Sequence, residues 1–206
     1  MLAPMTQPTS TDDPIARFAE LYARAAEQEP EPTAVALATA DREGNPAVRM
    51  LLLKHFDDHG FVLYTNHESR KGRELHENPR AALCFFWKSL ETQVRVEGPV
   101  TFVDPAESDA YFASRPRESR LGAWASLQSQ PLESREVFEA RIEDFKARYG
   151  AEESAGPVPR PPHWGGFRVV PHRVEFWFGH RYRLHDRFLY TRSAVGEPWT
   201  CQRLYP

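Results

Sequence analysis

Two groups of short apolar segments, one within residues 33–103 and one within 165–206, flank a stretch with helical spacing. Each segment is strand-length and bounded by turn residues, a pattern that builds an antiparallel sheet. TAVALATA, AVRMLLLKHF and FVLYT, joined through DREGNP and DDHG, predict a meander. AALCFFW and the long TQVRVEGPVTFV follow a short helix, ESRKGRELHENP, that stops at Asn78–Pro79; Gly98–Pro99 predicts a bend in the long strand. GGFRVVP, RVEFWFG, RYRLHDRFLYTR and WTCQRLYP predict three or four more strands. The intervening residues, about 105–150, read as helices; in the last, Val137, Phe138, Ile142, Phe145 and Tyr149 fall near one face. Strands on both sides of a helical insertion predict one mainly β domain with helices, a closed barrel spanning residues 12–206. Residues 1–11 are expected to be a disordered tail. DDPIARFAELYARAAEQ then predicts a helix capped by Asp12 or Asp13, with Ile15, Phe18, Ala19 and Tyr22 as its stripe.

Several function classes drop out. The net charge is −3, unlike that of a general polyanion binder, so no nucleic-acid partner is expected. The two cysteines form neither a disulfide framework nor a metal cluster, and no metal site is expected. The sequence carries no Rossmann or Walker glycine pattern, no His-Glu-x-x-His and no nucleophile elbow. No secretory signal or apolar run of membrane-spanning length is visible, which predicts a cytoplasmic protein without membrane contact.

What remains is a set of cations in unusual places. Arg49 interrupts the apolar strand AVRMLLLK, which Lys54 closes. An arginine there is either outward-facing, paired with a carboxylate, or part of an anion site. Ser69, Arg70 and Lys71 fall at a helix start, where free backbone N–H groups favour an anion or where a charged turn is simply solvated; Tyr64 and Thr65 immediately precede it. In RYRLHDRF, an extended chain would point Arg183, His185 and Arg187 the same way, which favours an anion between them. His185 there is a hydrogen-bond donor or a base. Tyr111 and Arg115 share a helix face, with Ser119 after the next turn, and Gln93, Gln128 and Ser129 could read a heterocycle edge. Two anion clusters with aromatic walls suit a phosphorylated cofactor and an anionic substrate.

The stretches RMLLLK at 49–54, FVLYTNHESRKGRELHENPR at 61–80, QVRVEGPV at 93–100, YFASRPRESRLGAW at 111–124, SLQS at 126–129, HWGGFRV at 163–169, EFW at 175–177, RLHDRFLY at 183–190 and the terminal RLYP resemble the pyridoxamine 5′-phosphate oxidase family. The resemblance covers about residues 30–206 and implies a homodimeric FMN-binding split β-barrel with FMN at the subunit interface. It implies that Arg49, Met50, Lys54, Tyr64, Thr65, Arg70, Lys71, Gln93, Gln128, Ser129, Trp177 and Arg187 hold FMN. Lys54, Tyr111, Arg115 and Ser119 would take the substrate phosphate, and Arg183 and His185 would act at the pyridine and its reacting carbon. The implied activity is oxidation of pyridoxamine and pyridoxine 5′-phosphates to pyridoxal 5′-phosphate by dioxygen, with hydrogen peroxide as product and ammonia released from the amine. The alternatives are a phenazine-type oxidase of another planar anion and a non-catalytic flavin or pyridoxal phosphate carrier. Three features depart from the family pattern: no N-terminal Arg and Tyr matching the family's arm, Phe178 where Gln is usual after EFW, and Gln130 closing QSQ where QSS is usual.

Overall fold

The computed structural model describes residues 13–206. The expected tail, residues 1–11, and the candidate cap Asp12 lie outside the described residues. Helix α1 (Pro14–Ala26) starts at Asp13, whose carboxylate accepts from the Ile15 N–H at 2.9 Å, with proline at the first helical position. Its buried face is Ile15, Phe18, Leu21 and Ala25, so the stripe runs further than the sequence pattern indicated, while Ala19 and Tyr22 are only half-buried. Phe18 meets Phe56, Phe61, Phe85 and Trp87 at ring distances of 4.9–5.6 Å, fixing α1 to the main core.

Ten antiparallel strands follow. They are β1 (Ala34–Ala40), β2 (Pro46–Leu52), β3 (His55–Asp57), β4 (Gly60–Asn66), β5 (Arg80–Trp87), β6 (Thr92–Phe102), β7 (Trp164–Val169), β8 (Arg173–Phe178), β9 (Asp186–Thr191) and β10 (Thr200–Leu204). One ladder runs β10-β9-β8-β6-β5-β1-β2. At Gly98–Pro99 strand β6 leaves β5 and β8 and pairs through Val100–Phe102 with β7, which pairs with β4, and β4 with β3. A Cβ on Gly98 would collide with the Val170 carbonyl, so the bend depends on glycine. Leu53 and Lys54 carry β2 over into β3, bonding through their N–H groups to Thr33 and Val62. That crossing closes a barrel of β1, β2/β3, β4, β7, β6 and β5, from which β8–β10 extend as a flap. The sequence pattern predicts a closed barrel with a helical insertion, and the split barrel is what the family resemblance implies.

Helix α2 (Arg70–Glu77) lies between β4 and β5; α3 (Pro105–Ala113), α4 (Arg117–Ala125) and α5 (Arg135–Tyr149) form the insertion between β6 and β7. Phe112, Leu121, Val158 and Trp164 make a second, smaller core under the insertion. No side chain of α5 is fully buried: Phe138, Ile142, Phe145 and Tyr149 are half-covered, and Val137 is exposed, contrary to the expected face.

RYRLHDRFLYTR is not one strand. Residues 181–183 form a tight turn in which Tyr182 and Arg183 take φ of 60° and 62°, and β9 begins only at Asp186. The apparent alternation of Arg183, His185 and Arg187 therefore does not place them on one face. Local turn geometry overrides the period-two pattern.

Candidate active site

Arg49 on β2 sits opposite Leu37 on β1, facing the barrel interior, while Val48, Met50 and Leu52 face outward. Its charge is met by Glu74 of α2, Nη2 to Oε2 at 3.0 Å, by the Thr39 hydroxyl, and by the Leu37 carbonyl at 3.3 Å. Glu74 also accepts from Arg70 Nε at 2.8 Å. Burial alone would raise the Glu74 carboxyl, but hydrogen bonds from Thr39, Arg70 and Arg49 outweigh it and hold the group below the usual carboxylate range. Arg49 is thus paired with a carboxylate, the second of the three alternatives.

Ser69 caps α2, its Oγ accepting from Gly72 N–H at 3.3 Å. Lys71, on the first turn, folds back into a buried cage, donating to Thr65 Oγ1 at 3.0 Å, Ser69 Oγ at 3.1 Å and Gln128 Oε1 at 3.2 Å. All three are neutral. Burial, with Arg49 adding repulsion, pulls the Lys71 ammonium down to about 8. A cleft of about 520 Å³ opens here, lined by residues 46–51, Arg70, Lys71, Gln128 and Ser129. Met50 borders this cleft, although its side chain is on the outward face.

A second cluster begins one residue before Thr65. Tyr64, Tyr111 and Trp164 form a near-parallel aromatic cluster, with Tyr64 4.1 Å from Tyr111 and 5.3 Å from Trp164. Burial, reinforced by Glu107, pushes the Tyr64 phenol up to about 12. The Arg115 guanidinium lies 4.9 Å over the Trp164 ring, and its buried Nη1 has no hydrogen-bond partner. Burial lowers the Arg115 pKa. Ser119 is half-buried on α4. Lys54, in the break between β2 and β3, is exposed, and its backbone bonds to Val62, two residues before Tyr64. Arg115 is half-buried as a residue, and its buried Nη1 is left without a hydrogen-bond partner.

The third cluster lies elsewhere. Gln93, Trp177 and Arg187 occupy one row across β6, β8 and β9, on the outer face. Arg187 is neutralised by Glu175 at 2.7 Å and donates to the Tyr205 carbonyl at 3.1 Å. The His185 ring lies 4.5 Å from Trp177. Arg183 is exposed, with no side-chain hydrogen bond or ion pair among the described residues. In the ladder, Trp177 is four strands from Arg49, roughly 19 Å along the sheet at 4.8 Å per step, and it projects from the opposite face. One chain therefore gathers Arg49, Tyr64, Thr65, Arg70, Lys71, Gln128 and Ser129 in one region, with Tyr111 and Arg115 adjoining it through Tyr64. It does not bring Gln93, Trp177, Arg183, His185 and Arg187 to them.

A sequence model described as pyridoxamine 5′-phosphate oxidase matches residues 22–149, and one described as the pyridoxine 5′-phosphate oxidase C-terminal dimerisation region matches 164–206. The chain belongs to the pyridoxamine 5′-phosphate oxidase family. It is 56% identical over 195 residues to the pyridoxine/pyridoxamine 5′-phosphate oxidase of Myxococcus xanthus, covering 94% of this chain and 92% of that one. It is 54% identical over 199 residues to the enzyme of the same name from Brucella canis, covering 96% of each. Among solved structures it resembles PhzG from Burkholderia lata, in complex with tetrahydrophenazine-1-carboxylic acid, at a TM-score of 0.89, 32% identity and coverage of 100% and 98%. An FMN-binding relative from Nostoc punctiforme, 18% identical, shares the fold at a TM-score of 0.74, covering 95% of this chain and 99% of that one.

Two departures from the family pattern have a place in this structure. Phe178 turns inward, against the barrel core, where the Arg17 guanidinium sits 5.5 Å from the Phe176, Phe178 and Phe188 rings. It is on the face opposite Trp177. Gln130 is exposed and closes the 127–130 turn by an N–H bond to Leu127. The sequence pattern missed Glu74, Thr39 and Trp164. Glu74 alone had a local signal, standing four residues after Arg70 on one helix face.

Proposed function

We propose that this chain oxidises pyridoxine 5′-phosphate and pyridoxamine 5′-phosphate to pyridoxal 5′-phosphate as an FMN-dependent homodimer. The observation that carries this reading is the presence of two separate cation sites, buried Lys71 with half-buried Arg49, and half-buried Arg115 beside Tyr111. Two sites suit two phosphates, one on the cofactor and one on the substrate. A carrier of one phosphorylated ligand needs only one. Relatives named for the pyridoxine and pyridoxamine phosphates are 54–56% identical, against 32% for the phenazine-bound one, which favours the phosphorylated pyridine.

Arg49, Arg70, Lys71, Thr65, Gln128 and Ser129 hold the FMN phosphate and chain in this reading, with Met50, Lys54 and Tyr64 bordering it. Lys54, Tyr111, Arg115 and Ser119 hold the substrate phosphate. Gln93, Trp177 and Arg187 wall the flavin from the second subunit, and Arg183 and His185 from that subunit meet the pyridine. FMN supplies the two-electron acceptor for the substrate's CH2OH or CH2NH2 carbon, and dioxygen takes those electrons on to hydrogen peroxide. The amine substrate also consumes water and releases ammonia. The protein's part is to fix both phosphates, so that the reacting carbon meets the flavin at one distance, and to exclude water.

The dimer reading has support on the outer sheet face. Val48, Met50, Leu52 and Phe86 are 69%, 63%, 39% and 59% exposed there. Such an apolar patch is normally covered. The missing half-site lies on the same outer face of the extended sheet. We read residues 12–206 as one domain and place the protein in a reducing cytoplasm. Among the described residues no helix is long and apolar enough to cross a membrane.

The test is anaerobic titration of the FMN-loaded protein with pyridoxine 5′-phosphate. Bleaching of the flavin band with stoichiometric aldehyde, reversed by air, is expected. A flavin that stays oxidised with this substrate would overturn the reading in favour of a carrier or another planar anion.

A further inference from the structure

The turn that carries Arg183 and His185 is held at both ends by one carboxylate. Asp186, the first residue of β9, receives His180 Nε2 on Oδ2 at 3.0 Å and the Arg203 guanidinium of β10 on Oδ1. A carboxylate only accepts, so His180 carries its proton on Nε2. The His180 backbone N–H in turn donates to His185 Nδ1 at 3.1 Å. That bond requires a lone pair on Nδ1, so neutral His185 carries its proton on Nε2, which makes no hydrogen bond among the described residues. Arg203 and His185 line the same cleft, about 440 Å³, with Leu184 and the last three residues. Between the two ends stand Tyr182 and Arg183, both in the left-handed region that non-glycine residues seldom adopt. Such a turn persists only where its surroundings determine it.

We propose that His180, Asp186 and Arg203 are positioning residues that lock His185 as its Nε2–H tautomer, so that it meets the substrate as a hydrogen-bond donor and does not take the substrate's hydroxyl or amine proton. The inference rests on the function proposed above for where His185 acts, but not for its tautomer. Asp186 ties three elements together: the end of the β8–β9 turn through His180, β9 by its own position, and β10 through Arg203. His180 is the one of these whose backbone and side chain both take part. Its N–H sets the His185 ring, and its imidazole sets where that N–H lies. The same closure holds the backbone of Arg183, whose side chain has no hydrogen bond or ion pair among the described residues. Trp177, 4.5 Å from the His185 ring, limits rotation from the other side.

The test compares the FMN-loaded full chain with His180→Ala and Asp186→Ala. Long-range proton–nitrogen spectra of 15N-labelled protein, with the His185 ring identified by its loss in His185→Gln, report which ring nitrogen carries the proton. Wild type is expected to show Nε2–H, and Asp186→Ala a mixture of tautomers. With pyridoxine 5′-phosphate, kcat/KM is expected to fall about tenfold in each variant, the worth of one hydrogen bond. FMN affinity should stay within about twofold, and the double variant should be no worse than the poorer single one, because the two act through one contact. A wild-type His185 protonated on Nδ1, or variants with unchanged kcat and KM, would overturn the proposal. So would loss of FMN binding and stability in step with activity, the mark of a merely structural role. Should wild type not oxidise the substrate, the function reading falls, and the tautomer spectra alone decide: Nε2–H kept by wild type and lost by Asp186→Ala supports the clamp, and no change refutes it.

Discussion

Arg49 and Glu74 are 25 residues apart in the chain and 3.0 Å apart in the fold. Their bond ties the barrel strand β2 to the helix whose first turn presents Lys71. Glu74 is also the one carboxylate bonded within a cluster of three cations, Arg49, Arg70 and Lys71. It makes the cluster tolerable without an anion and competes with any anion that arrives.

Glu74→Gln should therefore do two opposite things. Removing one partner of a largely buried pair costs about 3 kcal/mol, since Arg49 keeps its burial and loses its charge partner. For a chain of this size that is a fall of about 9 °C in the apo melting temperature. The anion site meanwhile gains net positive charge, so FMN should raise the melting temperature more in the variant than in wild type. Thermal scans with and without FMN check both parts. Equal FMN-induced shifts would show that Glu74 does not face the phosphate.

Lys71 gives the site a pH dependence. Its pKa is about 8 in the fold, against an ordinary 10.5. An unfolded chain would keep the proton up to 10.5, so between pH 8 and 10.5 the unfolded state holds more protons, and the Lys71 contribution to apo stability rises with pH. Anion binding runs the other way, because only the ammonium attracts phosphate. The FMN dissociation constant should rise about tenfold per pH unit above 8 if the phosphate needs that proton. Lys71→Met should bind FMN more weakly at pH 7 and lose the slope. Fluorescence titration from pH 7 to 10 measures it, and a flat wild-type profile would remove Lys71 from the phosphate.

Much of this barrel was legible from spacing. TAVALATA alternates at period two, AALCFFW is a short continuous apolar run, and they became β1 and β5, while Gly98–Pro99 marked the place where β6 changes partners. What spacing could not show was long-range or local in a different way. Glu74 answers Arg49 only because α2 packs on β1 and β2. RYRLHDRF alternates perfectly well, yet two left-handed residues turn it into a corner, and Glu175 from the neighbouring strand cancels Arg187. Arg17, between stripe residues of α1, is buried among three phenylalanines. The candidate site residues came chiefly from family resemblance, and resemblance to one chain does not reveal that they lie on opposite faces of a sheet.

Arg115 should trade stability for binding. Its Nη1 is buried without a partner, and burial already weakens its hold on the proton. Arg115→Met removes a half-buried charge whose Nη1 is unpartnered, while keeping much of the contact with Trp164 and Phe112, so the substrate-free protein should melt no lower than wild type. A charge-assisted hydrogen bond to phosphate is worth about 1.5–3 kcal/mol, so KM for pyridoxine 5′-phosphate should rise about ten- to a hundredfold. FMN affinity should not change. Steady-state kinetics and a thermal scan suffice, and a KM within twofold of wild type would exclude Arg115 from the substrate phosphate.

The sharpest expectation comes from geometry that one chain cannot satisfy. Lys71 belongs to the cluster inside the barrel and Arg183 to the flap, beyond β8 and on the far side of the ladder from β2. If each site takes Lys71 from one subunit and Arg183 from the other, Lys71→Met and Arg183→Ala homodimers are both defective at both sites. In a mixed dimer both defects fall in one site, and the other is intact. Random exchange from equal amounts makes half of the dimers mixed, each with one good site of two, so activity should recover to about one quarter of wild type. Co-expression with two affinity tags isolates the mixed dimer, which should show about half of wild-type turnover per dimer. Recovery to neither level, with both variants folded and dimeric, would mean that each chain builds its own site and that the far-face cluster serves something else.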